Sequence, residues 1–185
     1  DNYLTYLYNV VEKLKQNPDF TFIKGNAQAE SLKAKSYDAI LVATGTKQLK
    51  PKINGLDTAK VHFAIEVLRN PSLVRDARTI IVLGGGVVGA ETAYYLKYEL
   101  NKDVKLIEMD KYIMKNACTA NRGHIIHYLE EGEVDILNCT KVTSIDGTKV
   151  HVLQNVHKNV PSPYVTWQPI LPENVENPLD NFNKI

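Results

Sequence analysis

The stretch TIIVLGGGVVGAETA at residues 79–93 decides the fold, together with VKLIE at residues 104–108. Residues 79–83 are apolar and rich in β-branched side chains, which predicts a buried strand, whereas residues 87–100 have the composition of a helix. Residues 104–108 predict a second strand. Strand, helix and strand within about 30 residues form a βαβ unit, in which the two strands are parallel. The sequence therefore predicts an α/β fold with a doubly wound, Rossmann-like domain.

The loop between the first strand and the helix reads Gly-Gly-Gly-Val-Val-Gly and fits the pattern GxGxxG. Gly84 permits a tight turn, Gly86 leaves room for a pyrophosphate, and Gly89 lets the helix pack closely on the sheet. Val87 and Val88 open the helix, whose amide ends and dipole face the phosphate charge. We therefore predict that these five residues bind a dinucleotide.

Glu108 stands nineteen residues beyond Gly89, at the end of the second strand. A carboxylate at this position accepts hydrogen bonds from the adenosine ribose hydroxyls and repels a 2′-phosphate. NADH is therefore predicted in preference to NADPH, although Lys111 nearby would weaken that preference. The alternative is that the glycines only pack a turn and that Glu108 is a solvated strand end.

The rest of the chain is predicted to form short helices and strands. We predict helices at residues 3–16 and 119–131, the second ended by Gly132, and one helical turn at residues 65–68. Strands are predicted at residues 20–24, 37–43, 134–137, 141–145 and 149–153, and the last two, separated by a turn at Asp146 and Gly147, predict a small antiparallel sheet. Residues 61–64 are a candidate strand edge and residues 28–34 a candidate hairpin arm. Residues 46–57 have no periodicity and are interpreted as a connector, which sets a domain boundary between residues 55 and 56. Five of the eight prolines fall in the last 25 residues, where Trp167 is expected to hold the tail on the domain.

Composition narrows the classes of function. The chain has 185 residues, is 44% hydrophobic and has a net charge of +1, which argues against binding of nucleic acid or a membrane surface through bulk charge. Cys118 and Cys139 form no metal-ligand pattern, and a cytoplasmic location is the simplest interpretation. His124 and His127 are three residues apart on one helix, but a structural role is favoured over metal binding. The chain opens without Met, so we expect it to be a piece of a longer protein.

Beyond these patterns, the order of motifs resembles a known family. YDAILVATGT at residues 37–46, INGLD at 53–57, the glycine loop, and VKLIEMD at 104–110 are similar to the two-dinucleotide-binding flavoprotein reductases. The resemblance covers residues 1–153. Within that family, the chain is most similar to the C-terminal region of NADH:flavin oxidoreductases of the 2-enoate reductase and 2,4-dienoyl-CoA reductase type.

The resemblance implies roles for several residues. Ala43, Thr44 and Gly45 match a motif whose backbone lies against FAD, so residues 1–55 would be a partial FAD-binding domain and residues 56–185 the NAD-binding domain. Glu91, placed in the first turn of the glycine-loop helix, corresponds to a glutamate near the flavin and nicotinamide, and Glu108 to the ribose acid. The redox dithiol of the disulfide-reductase branch is absent. FMN and an iron–sulfur cluster would belong to regions outside this chain, and the rest of the parent enzyme would be its partner.

The expected function is to hold NADH so that its nicotinamide meets FAD, as in an NADH oxidase or 2-enoate reductase. No catalytic residue is expected within this chain, which alone would be inactive. One alternative is a non-catalytic NAD-binding or sensing module. Another is a methyltransferase, which the Glu91 position and the Ala43 segment disfavour.

Overall fold

A computed structural model describes residues 2–57 and 60–167. The chain divides into two compact units between Leu49 and Lys50. The predicted mixed α/β architecture, with a parallel sheet and a small antiparallel sheet, is confirmed. The assignment of residues 1–55 and 56–185 to FAD and NAD domains remains a prediction. No helix among the described residues combines the length and apolar character needed to cross a membrane.

The second unit is built on a three-stranded parallel sheet in the order β1 (Thr79–Leu83), β2 (Asp103–Ile107) and β3 (Asp135–Leu137). Ile80 pairs with Val104, and Leu106 pairs with both Val82 and Ile136. Helix α4 (Val87–Tyr98) and helix α5 (Thr119–Glu131) pack with the sheet in one buried cluster. Its fully buried members are Ala90, Ala93, Leu106, Ile113, Ile126, Leu129 and Val134. Val104 and Leu106 of β2 are buried in this cluster whereas Lys105 between them is exposed, so the cluster covers one face of the sheet.

The smaller sheet is an antiparallel hairpin of β4 (Thr140–Asp146) and β5 (Lys149–Gln154), with a register shift between Val142 and Ser144. The turn predicted at Asp146 and Gly147 joins the two strands, and Gly147 has a φ of +56°. Before the parallel sheet, helix α3 (Ala64–Arg69) confirms the helical turn predicted at residues 65–68, and a 3₁₀ turn (Pro71–Val74) follows it. Residues 61–63 form no strand, so the strand edge predicted at residues 61–64 is wrong. The side chain of Glu66 accepts a hydrogen bond from the Phe63 amide at 3.0 Å, which favours a helix start at that point.

The first unit differs from its prediction. Helix α1 (Asn2–Leu14) confirms the amphipathic pattern, but residues 28–34 contain helix α2 (Ala29–Lys33) rather than a hairpin arm. The strands predicted at residues 20–24 and 37–43 are not formed, and no described residue before Lys50 is buried. An apolar segment becomes a strand only when another strand accepts its backbone hydrogen bonds. Residues 37–43 have no such neighbour among residues 2–49.

Residues 164–166, which follow β5, are held against the rest of the second unit by polar side chains. Arg122, which is 2% exposed, donates to the carbonyl oxygens of Val165 at 2.7 Å and Thr166 at 2.5 Å. The Tyr164 hydroxyl donates to the Val134 carbonyl oxygen at 2.7 Å. The expectation that Trp167 holds this segment is wrong, since its side chain is 67% exposed. The prolines Pro169, Pro172 and Pro178 of the predicted tail lie outside the described residues.

Candidate functional site

The glycine loop lies between β1 and α4, at the carboxyl edge of the parallel sheet. Gly84 has a φ of +100°, a conformation that L side chains rarely adopt, and its amide donates to the Ile107 carbonyl oxygen at 2.8 Å. Gly86 precedes the first residue of α4 with extended backbone, and a Cβ built on it would meet no atom within 4 Å. The loop therefore turns tightly at Gly84 and leaves open space at Gly86.

Two other glycines are required by close packing. A Cβ on Gly89 would overlap the carbonyl oxygen of Gly84, so α4 can approach the loop only without a side chain at this position. A Cβ on Gly85 would lie 2.6 Å from a methyl carbon of Ile113 and 3.0 Å from the Cβ of Glu108. The role of Gly85 was missed by the GxGxxG pattern, which leaves that position open. A third consecutive glycine was the available signal.

Glu108 follows the last residue of β2 and lies beside the glycine loop, as the sequence predicted for the end of the second strand. One carboxylate oxygen accepts a hydrogen bond from the Gly85 amide at 2.6 Å, and the other accepts one from the Asp110 amide at 2.7 Å. Its backbone amide donates to the Leu137 carbonyl oxygen at 2.9 Å. The side chain is therefore fixed against the loop rather than solvated at a strand end. The dinucleotide contact predicted for Glu108 remains a prediction.

The segment after Glu108 completes the edge of the site. The Met114 amide donates to the Gly85 carbonyl oxygen at 2.7 Å, which joins this segment to the glycine loop. The Lys111 ammonium lies 5.4 Å from the centre of the Tyr112 ring, and burial lowers the pKa of Lys111. The negative charge of Asp110, the preceding residue, opposes this lowering of the Lys111 pKa. None of these contacts was predicted from the sequence.

The start of α4 presents exposed residues next to the loop. Val87 and Val88 are exposed, and the Val88 carbonyl oxygen accepts a hydrogen bond from the buried Thr92 hydroxyl at 2.6 Å. Glu91 is also exposed. Helix α4 begins at Val87, and its first turn contains no acidic residue. Glu91 lies beyond that turn, so its predicted placement in the first turn is wrong. A role in complementing the helix dipole is correspondingly weakened, since that effect fades beyond the first turn.

The three residues predicted to contact FAD lie in the other unit. Ala43, Thr44 and Gly45 are exposed and belong to no helix or strand, and Gly45 has a φ of +76°. No described residue among residues 2–49 is buried, so no core there surrounds these three residues. Their predicted role in flavin binding therefore remains a prediction.

The cysteines and histidines singled out in the sequence contribute no shared site. Cys118 is exposed at the start of α5 and Cys139 is half-buried, and neither forms a disulfide. Burial raises the pKa of the Cys139 thiol, which disfavours its reactive thiolate form. His124 and His127 each contact the ring of Tyr128, with centroids 4.8 and 5.5 Å away. Both histidines therefore have aromatic contacts within α5.

The arrangement of sheet, glycine loop and carboxylate agrees with a sequence comparison. Residues 2–168 match the model of the family described as pyridine nucleotide-disulphide oxidoreductase. The chain belongs to this family. Members of the pyridine nucleotide-disulphide oxidoreductase family bind FAD and NAD(P)H, and the chain thus comes from an NAD(P)H-dependent flavoprotein oxidoreductase family.

Several relatives of this chain are much longer than the chain itself. Bilirubin reductase of Mediterraneibacter gnavus is 33% identical over 147 residues, which are 80% of this chain and 22% of the relative. Cinnamate reductase of Clostridium sporogenes is 34% identical over 113 residues, or 60% of this chain and 16% of the relative. A solved 2-naphthoyl-CoA reductase complex gives a TM-score of 0.58 at 25% identity, covering 69% of this chain and 19% of the other. The chain therefore spans about a fifth of the length of each of these three proteins.

Proposed function

We propose that this chain binds NADH at the glycine loop and presents its nicotinamide to FAD within a larger flavoenzyme. The observation that carries this proposal is the Glu108 carboxylate held against the Gly85 amide at 2.6 Å. That contact brings the predicted ribose acid and the predicted phosphate loop together at one edge of the sheet. Ligands of doubly wound folds bind at this edge.

The residues of the loop fit a pyrophosphate. Gly86 offers the room that a phosphate needs, since a Cβ there would meet no atom within 4 Å. The first amides of α4 have no partner within the helix and no side-chain cap at Gly86, so they suit an anion. In the proposed complex, the loop amides hold the pyrophosphate and Glu108 accepts hydrogen bonds from the ribose hydroxyls. NADH, when bound, supplies a hydride.

The flavin side of the proposal rests on family membership and on the match of Ala43, Thr44 and Gly45 to the FAD motif. No described residue before Lys50 is buried, so these residues present no enclosed flavin pocket within residues 2–49. We therefore assign FAD to the larger enzyme and derive no step at the flavin from this chain. The same applies to FMN and an iron–sulfur cluster, which we propose for other parts of that enzyme.

The proposed terminal substrate of the whole enzyme is an enoate or enoyl-CoA. The name of the cinnamate reductase relative supports this class, because cinnamate is itself a 2-enoate. The chain matches 16% of that relative, so the residues that would bind the substrate belong elsewhere in the parent enzyme. The proposed role of this chain is limited to delivery of the reductant.

Binding of NADH by the full chain tests the proposal, with Gly86→Ala as the decisive variant. The added methyl group has room in the protein but occupies the place proposed for phosphate, so we expect NADH affinity to fall by at least about tenfold with unchanged thermal stability. Gly123→Ala is the matched control, because a Cβ on this α5 glycine also meets no atom within 4 Å. It should leave NADH affinity unchanged.

Calorimetric titration separates the possible results. Equal NADH affinity in the Gly86→Ala and Gly123→Ala variants would show that the loop does not hold the dinucleotide. In the whole parent enzyme, binding of NADH without reduction of FAD would instead favour the sensing module considered from the sequence.

A further inference from the structure

The buried side chain of Arg122 joins two segments that are far apart in the sequence. Its Nε donates to the Ile113 carbonyl oxygen at 3.0 Å. Its other two nitrogens donate to the carbonyl oxygens of residues 165 and 166, at 2.7 and 2.5 Å. The guanidinium on α5 therefore holds the segment after β2 and the segment after β5 together.

Asn138 joins the same two segments at a second point. This residue follows β3 directly and is 5% exposed. Its side-chain nitrogen donates to the Lys111 carbonyl oxygen at 2.8 Å and to the Pro161 carbonyl oxygen at 3.0 Å. Two buried donors from different elements therefore connect residues 111–113 with residues 161–166, which we call the strap.

The segment held by the strap is in contact with the glycine loop. The Met114 amide donates to the Gly85 carbonyl oxygen at 2.7 Å, and a methyl carbon of Ile113 lies 2.6 Å from the place that a Cβ would occupy on Gly85. Ile113 and Met114 are 0% and 1% exposed, so both are packed on all sides. The position of the Gly85 peptide, and with it the start of the open space at Gly86, therefore depends on these two residues.

We propose that Arg122 and Asn138 are positioning residues of the NADH site, which keep the glycine loop in its binding geometry by fixing residues 111–114 against the strap. The inference rests on the proposed function. Hydrogen bonds from loop amides to a pyrophosphate depend on distance and direction, so a small shift of the loop weakens them. Without its buried donor, the Ile113 carbonyl oxygen loses its partner, and the segment is expected to move to find another one.

The first test measures NADH affinity of the full chain by calorimetry in Arg122→Met and in Asn138→Leu. Each substitution removes the donors of one connection and leaves an apolar side chain in their place. We expect NADH affinity to fall by about threefold to tenfold in each variant, since the loop is displaced but every loop residue is kept. The two connections are independent, so one variant suffices if the other does not fold.

Val104→Ala is the matched control for lost stability. Val104 is 5% exposed and pairs with Ile80 near the start of β2, whereas the glycine loop lies at the other end of the sheet. The substitution removes two buried methyl groups and touches neither the strap nor the loop, so stability should fall at least as much as in Arg122→Met. NADH affinity should change by less than about twofold.

A second measurement reports the position of the loop without any ligand. Hydrogen exchange, followed by NMR, gives the rate at the Met114 amide, which bonds to Gly85, and at the amide of Ala93, a 0% exposed residue of α4. In Arg122→Met we expect the ratio of the Met114 rate to the Ala93 rate to rise by at least about threefold, because the segment opens locally. In Val104→Ala the ratio should stay unchanged, since a loss of global stability raises both rates together.

The failure of this inference and the failure of the proposed function give different results. Unchanged NADH affinity in Arg122→Met and Asn138→Leu, an equal fall in Val104→Ala, or an unchanged exchange ratio in Arg122→Met would each overturn the positioning role while NADH binding itself stands. Absence of NADH binding in the wild type would overturn the proposed function and this inference with it.

Discussion

Two apolar segments of similar pattern end in different structures. Residues 79–83 (TIIVL) and residues 37–43 (YDAILVA) both predict buried strands, but only the first is one. β1 pairs with β2 along its whole length, whereas Leu41 is 93% exposed and Val42 is 76% exposed. The difference lies in the neighbours available and not in the apolar content. A strand needs backbone partners on its edge and side chains over its faces.

The largest effect on stability is expected in a test of this difference that makes one substitution in each unit. Leu106→Ala removes a fully buried side chain from the central strand β2, so it should lower the free energy of unfolding by about 2–5 kcal/mol. Leu41→Ala makes the same chemical change at a 93% exposed position and should cost less than about 0.5 kcal/mol. Urea unfolding followed by circular dichroism measures both. Similar losses in the two variants would show that residues 37–43 are buried in solution.

The same contrast explains how much of the structure could be predicted from sequence. Residues 119–131 form α5 with the predicted bounds, and Gly132 ends the helix as its sequence position predicted. β1 and the position of Glu108 follow from local pattern and the known geometry of a βαβ unit. The hydrogen bonds of Glu108 to Gly85 and Asp110 could not be predicted, since they depend on the path of the chain after β2.

Arg122 illustrates a second feature that could not be predicted from the sequence. An arginine in a polar helix is usually a surface residue, and its sequence context in α5 contains no sign of burial. The structure buries it because carbonyl oxygens from two distant segments converge on its guanidinium, those of Ile113 and of residues 165–166. Such convergence is a property of the tertiary fold. For the same reason, Trp167 was the wrong choice for the residue that holds this segment.

A smaller loss of stability is expected when Arg122 is replaced, and two variants separate the role of its charge from that of its hydrogen bonds. Arg122→Met removes three hydrogen bonds but also removes a buried charge, so we expect a loss of about 1–2 kcal/mol. Arg122→Lys keeps the charge and loses the planar fork that reaches three carbonyl oxygens, so it should cost more, about 3 kcal/mol. Chemical unfolding followed by circular dichroism gives the stabilities of both variants. A lysine variant more stable than the methionine variant would contradict this account.

The smallest effect is expected from removing the whole first unit. Every buried residue of the described chain lies at or beyond Leu56, so residues 50–185 alone hold the complete apolar core. Their free energy of unfolding should differ from that of the full chain by less than about 1 kcal/mol, and NADH affinity should be retained, because the glycine loop and Glu108 are both present. A peptide of residues 1–49 should show little helix by circular dichroism, since α1 has 13 residues and isolated helices of that length are marginal. A large loss of stability on truncation would mean that the exposed apolar segments at residues 20–24 and 37–43 are covered in the full chain, and the two units would then have to be treated as one folding unit.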